Sequence, residues 1–415
     1  MPELFTVVAP DEAFERLRAV LKPVPRAENV PLERALGRTL AREIVAREAL
    51  PPFARSAMDG FAVRARDTLG AAETSPVYLR LAGESLMGSL PSFEVLPGSC
   101  ARIHTGAALP RGADAVVMIE ETNALPRDEI EVLASVAPGE DVIAAAEDLA
   151  PGERAFAAGQ RLRAVDVGGL AALGVVEVAA AVAPRVAVIS TGDELVAPQA
   201  QPRPGEIRDV NGALICALLE GAGALVRHAG IVRDDEALLA AAAARALEES
   251  DVVVVSAGSS VSARDATARA FARLGPPGIL LHGLAVKPGK PTLVACAGGR
   301  PVFGLPGNPV SAAVLCWRLV LPAVRVLLGQ SVPYGGLGPA AHVARLAQNV
   351  PSRAGREDYV PVTLSWGAGG APPEARPAFA KSNLIFSLVR SEGLLRVPRD
   401  AGGLRAGELA EIYTW

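Results

Sequence analysis

Five short segments between residues 190 and 311 put charged or hydroxylated side chains on turns, several of them rich in glycine and proline. In Ser190-Thr191-Gly192-Asp193-Glu194, Gly192 frees backbone N–H groups to approach an anion, and the adjacent carboxylates suit Mg2+ or an oriented water. Arg233-Asp234-Asp235 repeats the acidic theme. In both segments the acids either serve this chemistry or cap a following helix. The run from Ser256 to Asp265, SAGSSVSARD, offers Gly258, Ser260 and further small residues suited to wrapping a phosphate, or forms an ordinary turn. Val286-Lys287-Pro288-Gly289-Lys290-Pro291 holds two lysines on a backbone stiffened by proline, which calls for an anion between them. Gly304-Leu305-Pro306-Gly307-Asn308-Pro309-Val310-Ser311 opens a helix whose free N–H groups favour negative charge. Taken together, these segments form an anion-binding crevice ringed by carboxylates. The chemistry is that of a phosphorylated or oxyanion substrate handled with Mg2+, a phosphoryl- or nucleotidyl-type reaction.

The elements that must position these loops follow from hydrophobic periodicity. From Pro184 onward the chain alternates apolar runs (RVAVIS, ALVRHAGIV, DVVVVS, ILLHGLAV) with helical stretches near 211–219, 236–247 and 266–274. Unbroken apolar strands separated by helices predict a parallel sheet covered on both faces, with ligands at the carboxyl ends of its strands. Upstream, Phe14, Leu17, Val20 and Leu21 recur at helical spacing behind a capping Asp11, and a second helix is expected over Pro31–Ala41. Leu50-Pro51-Pro52-Phe53 breaks this texture. Short β-like runs (77–81, 115–119, 129–133) then predict a mostly β domain up to about residue 145. Helical sequence at 164–173 resumes the first domain, which is therefore discontinuous. Pro333–Gly338 reads as a linker into a tail of short strands, 359–364 and 394–397, expected to close as a small β-barrel. The fold class is thus multidomain α/β.

Length and composition narrow the function classes. The chain has 415 residues, enough for roughly three domains. Lys plus Arg total 41 against 45 Asp plus Glu, a net charge of −4, and only 4% of residues are aromatic, so nucleic-acid binding is disfavoured. Cys100, Cys216, Cys296 and Cys316 stand far apart, and with four histidines a zinc-type site is not expected. A reduced, cytoplasmic protein fits this pattern. The first residues lack a signal-peptide pattern, and the apolar stretch Val167–Ile189, interrupted by Glu177 and Pro184-Arg185, reads as helix end, strand and strand rather than a membrane span.

PPFARSAMDGFAV (51–63), RIHTGAALPRGADAVVMIEET (102–122), STGDEL (190–195), VKPGKP (286–291) and GLPGNPVS (304–311) together make the chain resemble the MoeA-type molybdopterin molybdenumtransferases, which include the gephyrin E domain. The resemblance runs over essentially the whole chain. It implies four subdomains: domain I over 1–48 and 144–182 as a discontinuous linker domain, a mostly β domain II over 49–143, a parallel-sheet, Rossmann-like, molybdopterin-binding domain III over 183–332 and a β-barrel domain IV over 333–415. It also implies insertion of molybdate into adenylylated molybdopterin with release of AMP, in a homodimer whose active site is shared, and contact with the molybdopterin adenylyltransferase.

Carried over position by position, the resemblance gives Asp59, Thr105 and Asp148 to the part of the site from the second domain. Glu194, Asp234 and Asp265 become the Mg2+ and water- or molybdate-orienting carboxylates, and with Asp59 they form the catalytic set. Lys287, Lys290, Pro306, Pro309 and Ser311 would bind molybdate or phosphate, with Arg356 and Ser382 from the last domain. Ser190, Gly192, Asp193, Gly258 and Ser260 complete the substrate-binding set. The third loop reads AGSSVSA where many members read GGVSVGE, and Ile143–Ala146 replaces an arginine-rich stretch. These departures leave open a tungsten-inserting variant, or a weakly catalytic paralogue acting as cofactor carrier or scaffold.

Overall fold

The computed structural model describes residues 7–21, 26–257, 261–367 and 369–414. Gly258 and Ser260 therefore lie outside the described residues. The first helix, α1 (Pro10–Val20), presents Ala13, Phe14 and Leu17 as one buried face. That face joins the core beneath the large α/β sheet, alongside Val186, Phe303 and Leu319. Asp11 does not cap α1, whose N-cap is Ala9 without a side-chain bond. Its carboxylate is instead drawn to Arg318.

The helix expected over 31–41 does not form. Ala27–Pro31 is a strand paired antiparallel with Glu177–Ala181, and only a single 3-10 turn, Leu32–Arg34, follows it. This pairing, together with Ile44–Val45 against Arg154–Phe156, outweighs the local helical pattern because it closes a core of Val30, Leu40, Phe156, Leu162, Leu170 and Val178. Leu170 comes from α2 (Ala164–Ala172). The core of the linker domain is thus assembled from two distant stretches of chain.

Between these stretches lies a six-stranded sheet. Its order is Ala115–Met118, Gly60–Val63, Ser99–Ile103, Val77–Ser85, Glu129–Val132 and Thr122–Leu125. Alternate residues supply opposite faces. Phe61 and Val63 enter one buried cluster with Leu79 and Val117, while Ala62 enters another with Val95 and Ile103.

The α/β domain has the order Leu225–Val232, Arg185–Thr191, Val252–Ala257, Arg300–Pro306, Leu293–Ala297 and Pro277–His282. Four strands are parallel, but the expected all-parallel sheet is corrected at one side. Leu293–Ala297 runs antiparallel to both of its neighbours. Gly298-Gly299, at φ +58° and +85°, turns the chain in two residues, a hairpin signal between two apolar runs. Helices α3 (Val210–Gly221), α4 (Glu236–Glu249) and α5 (Val261–Ala272) follow the parallel strands. Apolar clusters cover both faces, with Val186 and Val188 on one and Ala187 and Ile189 on the other.

The stretch Val167–Ile189 is helix end, strand and strand, as its interruptions predict. The most apolar long helix is elsewhere, over Pro309–Leu327. By length and composition it could cross a membrane, with a mean hydropathy of 1.8, yet 78% of that window is buried inside the structure, so it is a core helix. Pro322 offers no N–H to the carbonyl of Arg318, and a π turn over Cys316–Val320 precedes it.

In the C-terminal region, Glu357–Ser365, Glu374–Pro377, His342–Leu346, Leu409–Tyr413 and Gly393–Val397 close into a five-stranded barrel. Val286–Lys287, from the lysine-bearing loop, adds to it in parallel against Glu357-Asp358. The segment expected as a linker forms a joint that is buried at its centre. Gly335 and Gly336 are buried, and a Cβ on Gly335 would lie 2.4 Å from Asp11 Oδ1. Arg318, 1% exposed, donates to the Gly335 carbonyl, to Asp11 and, through Nε at 3.1 Å, to Tyr359 Oη. Glu357 lies 3.7 Å from Arg318 and accepts from Tyr359 Oη and Arg396 Nη2, each at 2.6 Å. Burial alone would raise the Glu357 pKa, but these hydrogen bonds and the Arg318 charge hold it below the usual carboxylate range.

Two consequences are measurable. Arg318→Met strands buried acceptors, which costs about 3 kcal/mol or more; urea unfolding followed by circular dichroism and tryptophan fluorescence reports it, and a variant as stable as the parent would mean that the barrel docks by apolar packing alone. Because the Glu357 pKa is depressed in the folded state, its contribution is complete above the unfolded value near 4.3 and is lost as pH falls through the folded value. In the parent, acidification should weaken the joint, and Glu357→Gln should flatten that dependence.

Candidate active site

At the carboxyl ends of the parallel strands lies a cavity of about 480 Å³, lined among others by Thr191, Glu194, Glu206, Asn211, Ser256 and Asn308. The STGDEL turn reaches it without any helix to cap. Leu195-Val196 pairs in parallel with Ile207-Arg208 instead, and α3 is capped by Asp209, which accepts from Gly212 N at 2.9 Å. Asp193 is drawn 3.2 Å from exposed Arg233. Asp235 caps α4 through Leu238 N at 2.8 Å, whereas Asp234 accepts from Thr191 Oγ1 at 2.8 Å. The acidic pair thus divides between a helix cap and a bond to Thr191, which lines the cavity, while Asp234 itself does not line it.

Ser190 is fully buried and turned inward. Its hydroxyl donates to Asp209 Oδ2 at 2.5 Å, and His228 Nε2 lies 3.1 Å from the same oxygen. Burial opposes ionisation of Asp209, but the His228 and Ser190 side chains and the Gly212 amide outweigh it and hold the pKa below its ordinary value. Gly192 approaches the neighbouring strand through N–H to the Val232 carbonyl at 3.2 Å. Ser190 and Gly192 therefore support the turn from behind.

A second, larger cavity of about 1040 Å³ opens between the α/β domain and the barrel. It gathers six of the residues expected from sequence: Lys287, Lys290, Pro306, Ser311, Arg356 and Ser382. Two cations that sequence reading missed, Arg353 and Lys381, line it as well. Asp358 is the only carboxylate among the described lining residues, and it is already forked by Arg356 at 2.8 and 3.3 Å. The cavity is therefore strongly electropositive. The lysine loop is held by Leu284 N to the Lys290 carbonyl at 2.9 Å and by Thr292 Oγ1 to the Gly289 carbonyl at 2.7 Å.

Asn308 lines both cavities, and its Nδ2 donates to Ser382 Oγ at 3.1 Å while Val310 N donates to the Ser382 carbonyl at 3.0 Å. Pro309 faces the smaller cavity. The GLPGNPVS turn is the wall between the acidic and the basic space, stitched to the barrel on one side.

The second-domain residues stand apart. Asp59 Oδ1 accepts from Thr105 N at 3.0 Å and lies 3.5 Å from His104 Nδ1, more than an ordinary turn would require. The Thr105 amide is the main reason its pKa is lowered. Asp59, Thr105 and Asp148 are all exposed, Asp148 being tied to Leu50 by its backbone, and none lines either cavity. Asp265, half-buried on α5, lines neither. Among the described residues no group of three or more His, Cys, Asp or Glu is arranged to hold a metal. The expected triad of Glu194, Asp234 and Asp265 is thus not assembled in this chain, since Asp234 is engaged by Thr191. A site completed by substrate oxygens remains within reach, because Mg2+ commonly takes one or two carboxylates and fills its shell with phosphate and water.

Comparison with known proteins places this geometry. The chain matches the MoeA N-terminal region (domain I and II) over residues 8–174, a probable molybdopterin binding domain over 187–326 and the MoeA C-terminal region (domain IV) over 343–415. It is 34% identical over 97% of its length to molybdopterin molybdenumtransferase 2 of Mycobacterium tuberculosis, covering 98% of that protein. It is 31% identical to the molybdopterin molybdenumtransferase of Haemophilus influenzae, over 97% of each chain. A crystal structure of the molybdopterin biosynthesis MoeA protein from Pyrococcus horikoshii matches with a TM-score of 0.83 at 31% identity, over 99% of this chain and 100% of that one. A motif set, three domain matches and a fold that agree from end to end have one reading: the chain belongs to the MoeA family, the molybdopterin molybdenumtransferases.

Proposed function

We propose that this protein inserts molybdate into adenylylated molybdopterin, with Mg2+-assisted cleavage of the phosphoanhydride and release of AMP. The observation that carries this reading is a basic cavity and a Glu194-bearing cavity sharing the Asn308 wall. Lys287, Lys290 and Ser311 face the space where a tetrahedral oxyanion would be held, and Arg353, Arg356 and Lys381 extend the positive field from the barrel side. A dianion entering this cavity exchanges hydration for charge-assisted hydrogen bonds, and lysine and arginine there also balance the charge that develops on a leaving phosphate. The rigid lysine loop keeps that arrangement in place before the substrate arrives.

Glu194, with Glu206 in the same lining, is the donor set that fits Mg2+, which would neutralise charge on the phosphoanhydride when bound. Glu194 orients the oxygen, from water or molybdate, that attacks phosphorus, and Asp265, which lines neither cavity, is assigned to the same step by the family resemblance alone. The P–O bond of the anhydride breaks, AMP leaves, and the dithiol of the freed molybdopterin takes the metal while one molybdate oxygen leaves, in AMP when molybdate attacks or as water with the two thiol protons when water does. Asp59 and Thr105, preassembled but lining neither cavity, are proposed to complete the site of a second copy in a homodimer.

Glu194→Ala and Asp265→Ala should each lower oxyanion-dependent AMP release by about 100-fold while leaving the thermal midpoint unchanged; near-normal release in both variants overturns the assignment. Oxyanion and pterin binding without release in the parent would identify a carrier instead. Arg353→Ala and Lys381→Ala should each weaken tungstate binding by about tenfold in calorimetry, and unchanged affinity in both would remove the barrel from the anion site. If the site is shared, mixing and re-annealing Asp59→Ala with Lys290→Ala restores turnover that neither variant shows alone. No recovery would place each site within one chain.

A further inference from the structure

The smaller cavity differs in chemistry from the larger one. Its polar lining consists of amides, hydroxyls and carboxylates, with Arg208 as the only cation among the described lining residues. Arg208 is itself turned away, donating through Nε to the Pro198 carbonyl at 3.0 Å. Leu195, Ile207, Val210 and Ile385 supply apolar surface. Away from the Glu194 and Glu206 carboxylates, such a space suits a flat body that carries hydrogen-bond donors better than it suits a bare anion.

One side chain in that wall is left incomplete. Asn211 is 7% exposed, and its Nδ2 donates to Ser256 Oγ at 2.9 Å and to the Gly307 carbonyl at 2.8 Å. The Gly307 carbonyl can only accept, so the amide cannot be turned over to exchange its nitrogen and oxygen. Asn211 Oδ1 therefore has a fixed place, and it is buried with no hydrogen-bond partner. An unsatisfied buried acceptor is costly, and because Asn211 belongs to the cavity lining, a ligand donor that reaches its Oδ1 from the cavity would complete it.

We infer that Asn211 is a binding residue of the smaller cavity, and that its Oδ1 accepts from the exocyclic amine of an aminopyrimidine-type ring. This rests on the proposed function for its choice of candidates, since both halves of the substrate carry such an edge: the adenine of the adenylyl group and the pterin of molybdopterin. The division of labour is then physical. Phosphates and oxyanion lie in the basic cavity, a ring edge lies in the acceptor-rich one, and Asn308 stands between them.

The test uses the full-length parent protein and two ligand pairs, each differing only in the amine: AMP against purine riboside monophosphate, and pterin against its 2-desamino analogue. Loss of the amine should weaken binding by about tenfold in the pair whose ring occupies the cavity, because the buried acceptor is again left unpaired. Dependence in the adenine pair assigns the cavity to the adenylyl group, and dependence in the pterin pair assigns it to the pterin. Asn211→Leu should abolish the discrimination while tungstate still binds in the basic cavity. If the parent binds these ligands with no preference in either pair, or if Asn211→Leu keeps both tungstate binding and the full preference, the inference is overturned. Should Asn211→Leu fail to fold, the parent series alone decides. Failure of tungstate to bind the parent would count against the proposed function, a separate result from indifference to the amine.

Discussion

A buried guanidinium holds the working half of this protein together. Arg318 sits in the π turn of the core helix and reaches Asp11 of α1, the Gly335 carbonyl and Tyr359 of the barrel, with Glu357 close by. A charge taken out of water in this way is tolerated only when its donors are satisfied, so every element it touches is constrained at once. Because both walls of the basic cavity depend on that docking, the geometry of the site is a consequence of the joint. The lysine loop belongs to the α/β domain, yet its Val286-Lys287 pairs with Glu357-Asp358 of the barrel. Glu357 thus ties the ion network to the loop that carries the lysines.

The same docking explains how opposite charges share a small region. The carboxyl ends of the parallel strands bring carboxylates and amides together around one cavity, while the barrel brings arginine and lysine against the lysine loop around the other. The GLPGNPVS turn separates them and is bonded across to Ser382. A substrate bearing both anionic groups and a donor-bearing ring matches such a divided site better than a uniformly basic cleft would, since each part meets complementary polarity.

Where local pattern and final burial agree, the sequence is a reliable guide. The apolar runs at 185–191 and 252–257 are buried strands, and α3, α4 and α5 lie near their periodic stretches. The loops bearing Glu194, Lys287, Lys290, Pro306 and Ser311 were legible because glycine and proline interrupt those runs. The helix expected over 31–41 is lost to pairing with 177–181, a partner nearly 150 residues away. The hairpin around Gly298-Gly299 had a visible signal, two apolar runs with a glycine pair between them. Pro333–Gly338 carries the composition of a linker, and only contact with Arg318 and its neighbours makes a buried joint of its Gly335-Gly336 centre.

The sequence by itself determined the family, most elements of the α/β domain and the residue types that line the basic cavity from its loops, because motifs and hydrophobic periods are properties of short stretches. Only the tertiary structure decided which charges meet. Arg353 and Lys381 become part of the basic cavity when the barrel closes and docks, and Asn211 Oδ1 is left an unpaired acceptor when two separate segments, at Ser256 and Gly307, converge on its Nδ2. Asp59 and Asp265, expected from the sequence in the catalytic set, lie outside both cavities. Electrostatics and hydrogen-bond completion depend on distances between groups far apart in the chain, and those distances are set by packing.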